Sequence, residues 1–141
     1  MGAEALCRGA KTVVGIESSS AACRIIRQNW EQVVNNNQTF QLLQGDIMRQ
    51  LAILSGQKFD RIYFDPPYAG GLYQGVLSAI EQFELLTLDG ELAVEHSPDP
   101  QISSLPESLT LLELCRSKRY GNTVISFYQL DRHQQHDQVT G

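Results

Sequence analysis

The chain has 141 residues, 42% of them hydrophobic and 19% charged, enough for one sizeable core and too few for two ordinary domains. It has no stretch near the roughly 18 uninterrupted apolar residues of a membrane span, and its first residues lack the basic-then-apolar pattern of a signal peptide, so a cytoplasmic protein is expected. A net charge of -5 argues against a protein that grips nucleic acid over its whole surface, because phosphate binding is carried by Lys and Arg, and any such target must be held by a local patch.

In chain order, Thr12 to Glu17 is a short β-branched, apolar run that predicts a strand. A helix follows, opened by Ser18 to Ser20 and carrying Ala21, Ala22, Ile25, Ile26 and Trp30 at helical spacing until the Asn35-Asn36-Asn37 loop. Phe40 to Leu43 predicts a second strand closed by Gly45-Asp46, Ile47 to Leu54 a second helix, and Phe59 to Phe64 a third strand ending on Asp65. A third helix is expected from about Gln74 to Leu86, then a turn at Leu88-Asp89-Gly90 and a fourth strand from Glu91 to Glu95. Alternation of this kind predicts a parallel sheet covered on both faces. Leu109 to Leu114 and Thr123 to Leu130 are then strand-like with no helix between them, which predicts an antiparallel hairpin around Tyr120-Gly121-Asn122. We expect one domain over residues 1–130 and a disordered, Gln-rich tail over 131–141. Cys7, Cys23 and Cys115 are far apart and in no C-x-x-C arrangement, so neither a disulfide framework nor a zinc site is expected.

Ligands of open α/β sheets bind beyond the carboxyl ends of the strands. Glu17, Asp46, Asp65 and Glu95 each stand at, or one step past, such an end. Acids there also serve simply as solvated termini or helix caps, and that alternative stays open for each, most of all for Glu95.

Asp65-Pro66-Pro67-Tyr68 is the most informative segment, since it should arise by chance in roughly one chain of this length per thousand or more. An exocyclic amino group on a nucleic-acid base is a poor nucleophile, because its lone pair is delocalised into the ring. If the Asp65 carboxylate and the Pro66 carbonyl accept its two N–H bonds, the nitrogen is drawn toward a tetrahedral shape with its lone pair aimed at a methyl donor. Pro66 and Pro67 fix the backbone and contribute no competing N–H. Tyr68 can stack on the base for roughly 1–3 kcal/mol, and the target must leave its helix or lie in a loop. The alternative is a rigid Pro-Pro turn with a packed tyrosine. Glu17, placed to take ribose hydroxyls, and Asp46, placed to accept from an adenine amino group beside Ile47, suit a nucleoside cofactor with Gly45 leading into the site. Asp46 is also a plausible helix N-cap.

Together these residues resemble the RsmD family of 16S rRNA guanine-N2 methyltransferases, over almost all of residues 2 to 130. Gly2 to Ala10 is similar to that family's G-x-E-A-L-S-R-G-A segment, Asp65 to Tyr68 to its D-P-P-Y, and the Gly45-Asp46 pair and Lys118 to Thr123 also match. The resemblance implies an α/β, Rossmann-like class I methyltransferase sheet with a C-terminal antiparallel hairpin. It also implies transfer of a methyl group from S-adenosyl-L-methionine to the N2 of one guanine in 16S small-subunit rRNA, in an assembling particle. The implied catalytic residues are Asp65, Pro66, Pro67 and Tyr68, and the implied cofactor residues Glu17, Gly45, Asp46, Ile47 and Asp65. We expect a monomer with no metal and no membrane partner. In the family, the segment like Gly2 to Ala10 follows a strand and a glycine-rich loop of the type D-L-F-A-G-S-G. This chain has neither, so we expect a fragment or a misassigned start, with two strand edges left without the partner that layout puts between them.

Rival readings are a DNA adenine-N6 methyltransferase, which shares D-P-P-Y, a protein-glutamine methyltransferase with the related N-P-P-Y, and a non-catalytic RNA-binding remnant of the fold. His96 is expected to be a structural hydrogen-bonding residue. His133 and His136, in a polar tail, are not expected to bind metal. Arg116, Lys118 and Arg119 form either a local phosphate patch or a solvated hairpin face.

Overall fold

A computed structural model of the chain describes residues 2–65, 72–100, 105–106 and 109–131. The chain forms two compact units, Met1–Ile53 and Leu54–Gly141.

The first unit runs α1 (Gly2–Cys7), β1 (Thr12–Glu17), α2 (Ser20–Val33), β2 (Thr39–Gln44) and α3 (Ile47–Ile53). β1 and β2 pair in parallel from Thr12↔Thr39 to Glu17↔Gln44, so both strands deliver their carboxyl ends to one edge. α2 begins where the sequence predicts a cap: the Ser19 hydroxyl accepts from the Ala22 N–H at 3.2 Å, satisfying one of the first-turn donors. Its inner face buries Cys23 and Trp30, and the Trp30 ring meets Phe40 edge-on, with centroids 5.5 Å apart. Gly15 makes room for that indole, because a Cβ there would stand 2.7 Å from a Trp30 ring carbon.

Gln38 ties the unit together. Its buried side-chain amide donates to the carbonyls of Leu6 and Ala10, both at 2.7 Å, and its oxygen accepts from the Asn35 N–H. Gln38→Leu leaves the Ala10 carbonyl without this donor and the Leu6 carbonyl with the Gly9 N–H alone, and should cost about 1–3 kcal/mol. A thermal melt followed by circular dichroism should therefore show a clear loss of stability, whereas replacement of exposed Gln41 on β2 should not.

The second unit contains β3 (Phe59–Phe64), α4 (Leu72–Gln82), β4 (Leu86–His96), β5 (Leu112–Tyr120) and β6 (Thr123–Leu130). Its strands lie in the order β3-β4-β6-β5, with β3 parallel to β4 and the remaining neighbours antiparallel. One face is the core: Phe64, Leu92, Val94, Ser126 and Tyr128 are buried, as are Tyr73, Val76, Leu77 and Ile80 of α4. The opposite face carries Tyr63, Ala93, Glu95, Ile125 and Phe127, all half-buried. Burial thus alternates with the two-residue period of a strand.

The expected α/β layout with a C-terminal antiparallel hairpin is present, but as a two-stranded and a four-stranded sheet. Among the described strands β1 pairs with β2 alone and β3 with β4 alone. Three regions depart most from expectation. The third helix ends at Gln82 rather than Leu86, because Glu84 takes a left-handed φ of 52° and Leu85 and Leu86 enter the sheet as buried residues. The turn expected at Leu88-Asp89-Gly90 is a bulge inside one long strand, where pairing jumps from Phe59↔Leu86 to Arg61↔Glu91. The hairpin's first strand begins at Leu112 and runs to Tyr120, so Arg116 to Arg119 lie in an exposed edge strand, and Gly121-Asn122 alone makes the turn. An edge strand with solvent on most of its surface has no apolar alternation by which to be read. The tail from 132, with His133 and His136, lies outside the described residues.

Candidate functional site

In the first unit, the ends of β1 and β2 bring together Glu17, Gly45, Asp46 and Ile47. Glu17 closes β1, half-buried, and one of its carboxylate oxygens accepts from the Ser18 N–H at 3.1 Å. Its backbone carbonyl takes the Gly45 N–H at 3.0 Å and faces the Cys23 thiol at 3.6 Å, so the carboxylate is held at the strand edge from behind. Gly45 has a φ of +151°, and a Cβ there would meet the Gln50 side-chain nitrogen at 2.6 Å. Both features favour glycine.

Asp46 is exposed, and one of its oxygens accepts from the Arg49 N–H at 3.2 Å. The N-cap role that the sequence left open is therefore filled. A carboxylate has a second oxygen and spare lone pairs, so the cap does not exhaust it. Ile47, the first residue of α3, is half-buried beside it.

In the second unit, Asp65 leaves the carboxyl end of β3. The parallel register that aligns Tyr63 with Ala93 and Phe64 with Val94 carries Asp65 to the side of Glu95. The Asp65 pKa is raised first by desolvation, then by the negative charge of Glu95, then by hydrogen bonding of its protonated form to Glu95. Although much of its surface is exposed, the aspartate therefore holds a proton more readily than one in water. Pro66, Pro67 and Tyr68 lie outside the described residues.

Glu95 is held tightly. The Tyr63 hydroxyl donates to its carboxylate, and the Tyr73 hydroxyl donates to its backbone carbonyl at 3.0 Å. Neither tyrosine is evident as a site residue from the sequence alone. Tyr63 is two residues before Asp65 and so shares its face, which is the one local signal available; Tyr73 reaches Glu95 only through the packing of α4.

His96 is structural, as expected: its Nε2 meets the hydroxyl of buried Ser126 at 2.7 Å and its Nδ1 meets the Ser97 carbonyl at 3.0 Å. The three cations of β5 do not make one patch. Arg116 lies 4.1 Å over the Phe127 ring and pairs with Glu91 at 3.1 Å, Lys118 shares that face at 6.0 Å from the ring, and Arg119, one residue on, points to the other face and donates to the Gly121 carbonyl. Among the described residues no cluster suited to a metal ion is present, and Cys7, Cys23 and Cys115 are free. No described helix is long and apolar enough to cross a membrane.

The family model described as "Conserved hypothetical protein 95" matches residues 1–129. The chain is 26% identical over 131 residues to "Putative rRNA methyltransferase YlbH" of Bacillus subtilis (strain 168), covering 92% of this chain and 69% of that protein. Among solved structures it is similar to "Putative methyltransferase yhhF from Escherichia coli", with a TM-score of 0.77 and 25% identity over 92% of this chain and 68% of that one. It is also similar to a conserved hypothetical protein of Streptococcus pyogenes, with a TM-score of 0.77 and 27% identity over 93% of this chain and 79% of that one.

Proposed function

The chain belongs to the Conserved hypothetical protein 95 family, and from that premise we propose that it transfers a methyl group from S-adenosyl-L-methionine to the exocyclic N2 amino group of a guanine in 16S small-subunit rRNA. Its fold is that of the Rossmann-like class I methyltransferases. The observation that carries the reading is Asp65 at the end of β3, followed at once by Pro66-Pro67-Tyr68 and fixed beside Glu95.

The residues of the first unit fit the cofactor by the chemistry of their acceptors. Glu17 is a half-buried carboxylate at the end of a parallel strand, suited to two ribose hydroxyls, each of which donates. Asp46 retains an oxygen for the adenine amino group after capping α3, and Ile47 offers the ring an apolar edge. When bound, the sulfonium supplies a methyl carbon already activated toward nucleophiles. Asp65 and the Pro66 carbonyl then have one task, to accept the two N–H bonds of the target amino group and free its lone pair. Tyr68 stacks on the base and holds it out of its helix. With the methyl group so activated, alignment counts for more than a base of matched pKa.

The test begins with calorimetric titration of S-adenosylhomocysteine into the chain and into Asp46→Ala, each shown to be folded by a circular dichroism melt. Submillimolar binding that weakens in the variant is expected, together with about 1 kcal/mol of lost stability from the missing cap. Small-subunit rRNA incubated with the chain and cofactor is then digested to nucleosides and the modified guanine located. N2-methylguanosine supports the proposal; methyladenosine, or no binding by a folded chain, opposes it.

A further inference from the structure

Asp65 and Glu95 form an arrangement more specific than methyl transfer to an amino group requires. They come from neighbouring parallel strands and share one face through the register Tyr63↔Ala93 and Phe64↔Val94. Glu95 is fixed from three directions: the Tyr63 hydroxyl on its carboxylate, the Tyr73 hydroxyl on its carbonyl, and the ladder to Ile125. Two carboxyl groups set side by side weigh against folding as each loses its proton, since like charges repel. Two tyrosines nevertheless hold the second acid where it meets the first. A lone acceptor of amino N–H bonds would need only Asp65.

Ionised carboxylates accept hydrogen bonds and cannot donate them. A pair of them therefore suits a base edge with adjacent donors. Guanine offers such an edge, with N1–H next to its 2-amino group. Adenine offers its amino group next to an N1 that is itself an acceptor, so a carboxylate facing that atom is left without a partner and is repelled by its lone pair. We propose that Glu95 accepts the N1–H of the target guanine while Asp65 accepts from the 2-amino group, which makes Glu95 the residue that selects guanine over bases lacking a proton at N1. The inference rests on the guanine-N2 reading given above and names what enforces it.

Because a flipped base is read along its Watson–Crick edge, the discriminating substrate is one that keeps the 2-amino group and loses the N1 proton. 2-Aminopurine does this, and because it also lacks the 6-oxygen, the assignment is read from the change in preference between native chain and variants. RNA carrying either guanine or 2-aminopurine at the methylated position is compared by kcat/KM for the chain, Glu95→Ala and Glu95→Gln. The same preference is read from competition binding in the presence of S-adenosylhomocysteine, which does not depend on turnover. The native chain should prefer guanine by about 30-fold, the order expected for one hydrogen bond to a charged acceptor. Glu95→Ala should bring the preference to within about 3-fold. Glu95→Gln keeps an oxygen for the Tyr63 hydroxyl, and its amide N–H can serve the bare N1 of 2-aminopurine, so it should move the preference toward that base. Variants that lose rate but keep the native preference would overturn the proposal and leave Glu95 as a support for Asp65 alone. If the native chain yields methyladenosine, the guanine reading itself fails; methylguanosine with an unchanged preference sinks the assignment of Glu95 only.

Discussion

Asp65→Asn is expected to reduce methyl transfer by about 10²–10³-fold, the scale on which one preorganised electrostatic partner of a reacting group counts. The asparagine oxygen still accepts, but without the charge that draws the amino N–H bonds and so frees the lone pair. Cofactor affinity should fall far less than the rate, because the acceptors proposed for the nucleoside are Glu17 and Asp46. Stability should move in the opposite direction to activity. The folded pKa of Asp65 is raised, chiefly by desolvation and then by Glu95. Such a carboxyl contributes stability that is fully present below its unfolded pKa and is lost as pH rises through its folded one. At neutral pH its charge weighs against the fold, so Asp65→Asn should melt no lower than the native chain there, and the difference should close as pH is brought down toward the ordinary carboxylate range. Solvent exposure keeps the effect small. The rate carries the same signature, with an acid limb above the ordinary aspartate range as Asp65 takes up a proton. Among the described residues, the Tyr63 hydroxyl lies on the Glu95 carboxylate and the Tyr73 hydroxyl on its backbone carbonyl; His96 faces the other side of the sheet, toward Ser126. Glu95→Gln removes two of the three causes of the shift and should move the limb to lower pH.

How much of this was legible beforehand follows from where local sequence carries the information. β1 and β3 have the expected bounds, Thr12–Glu17 and Phe59–Phe64, because each is an apolar run closed by an acid and bordered by turn residues. α2 announces itself through Ser19 and the helical spacing of Ala22, Ile26 and Trp30, although Ile25, expected on the same stripe, is 60% exposed and the buried face runs through Cys23. Between Phe83 and Gly90 the sequence suits either period: Leu85, Leu86 and Leu88 continue a helical stripe as well as they begin a strand, and the left-handed Glu84 that decides between them is not a glycine. At the edge strand β5, the burial that would impose alternation is missing.

The site divides in the same way. Asp65 stands out through its unusual tetrapeptide and Glu17 through its position after a strand. Glu95, an acid at a strand end like the others, gains its meaning only from the strand order β3-β4-β6-β5 and the parallel register that lays it against Asp65. Tyr73 contributes through the packing of a helix whose ring meets Phe64 edge-on at 5.8 Å. Long-range pairing is the part that no local pattern encodes. Arg119 shows the converse: grouped with Arg116 and Lys118 by sequence, it is separated from them by the plain alternation of a strand.

Glu17→Ala should weaken S-adenosylhomocysteine binding by about 10²–10³-fold. Two ribose hydroxyls donating to one carboxylate make charge-assisted hydrogen bonds of about 1.5–3 kcal/mol each, with less than full additivity because both share one acceptor group. Glu17→Gln keeps one good acceptor oxygen, and a loss of about tenfold is expected. Neither variant should unfold the unit, since the contacts that hold this edge, Gly45 N–H and the Cys23 thiol on the Glu17 carbonyl, use the backbone. That separates Glu17 from Asp46, whose replacement also removes the cap of α3 and should lower the melting temperature along with affinity. Calorimetry on the three variants beside their melts therefore resolves binding from folding. A Glu17→Ala chain that binds as tightly as the native one would place the ribose elsewhere, whereas a loss confined to affinity would fix the nucleoside at the end of β1 and leave Asp65 and Glu95 to the base that receives the methyl group.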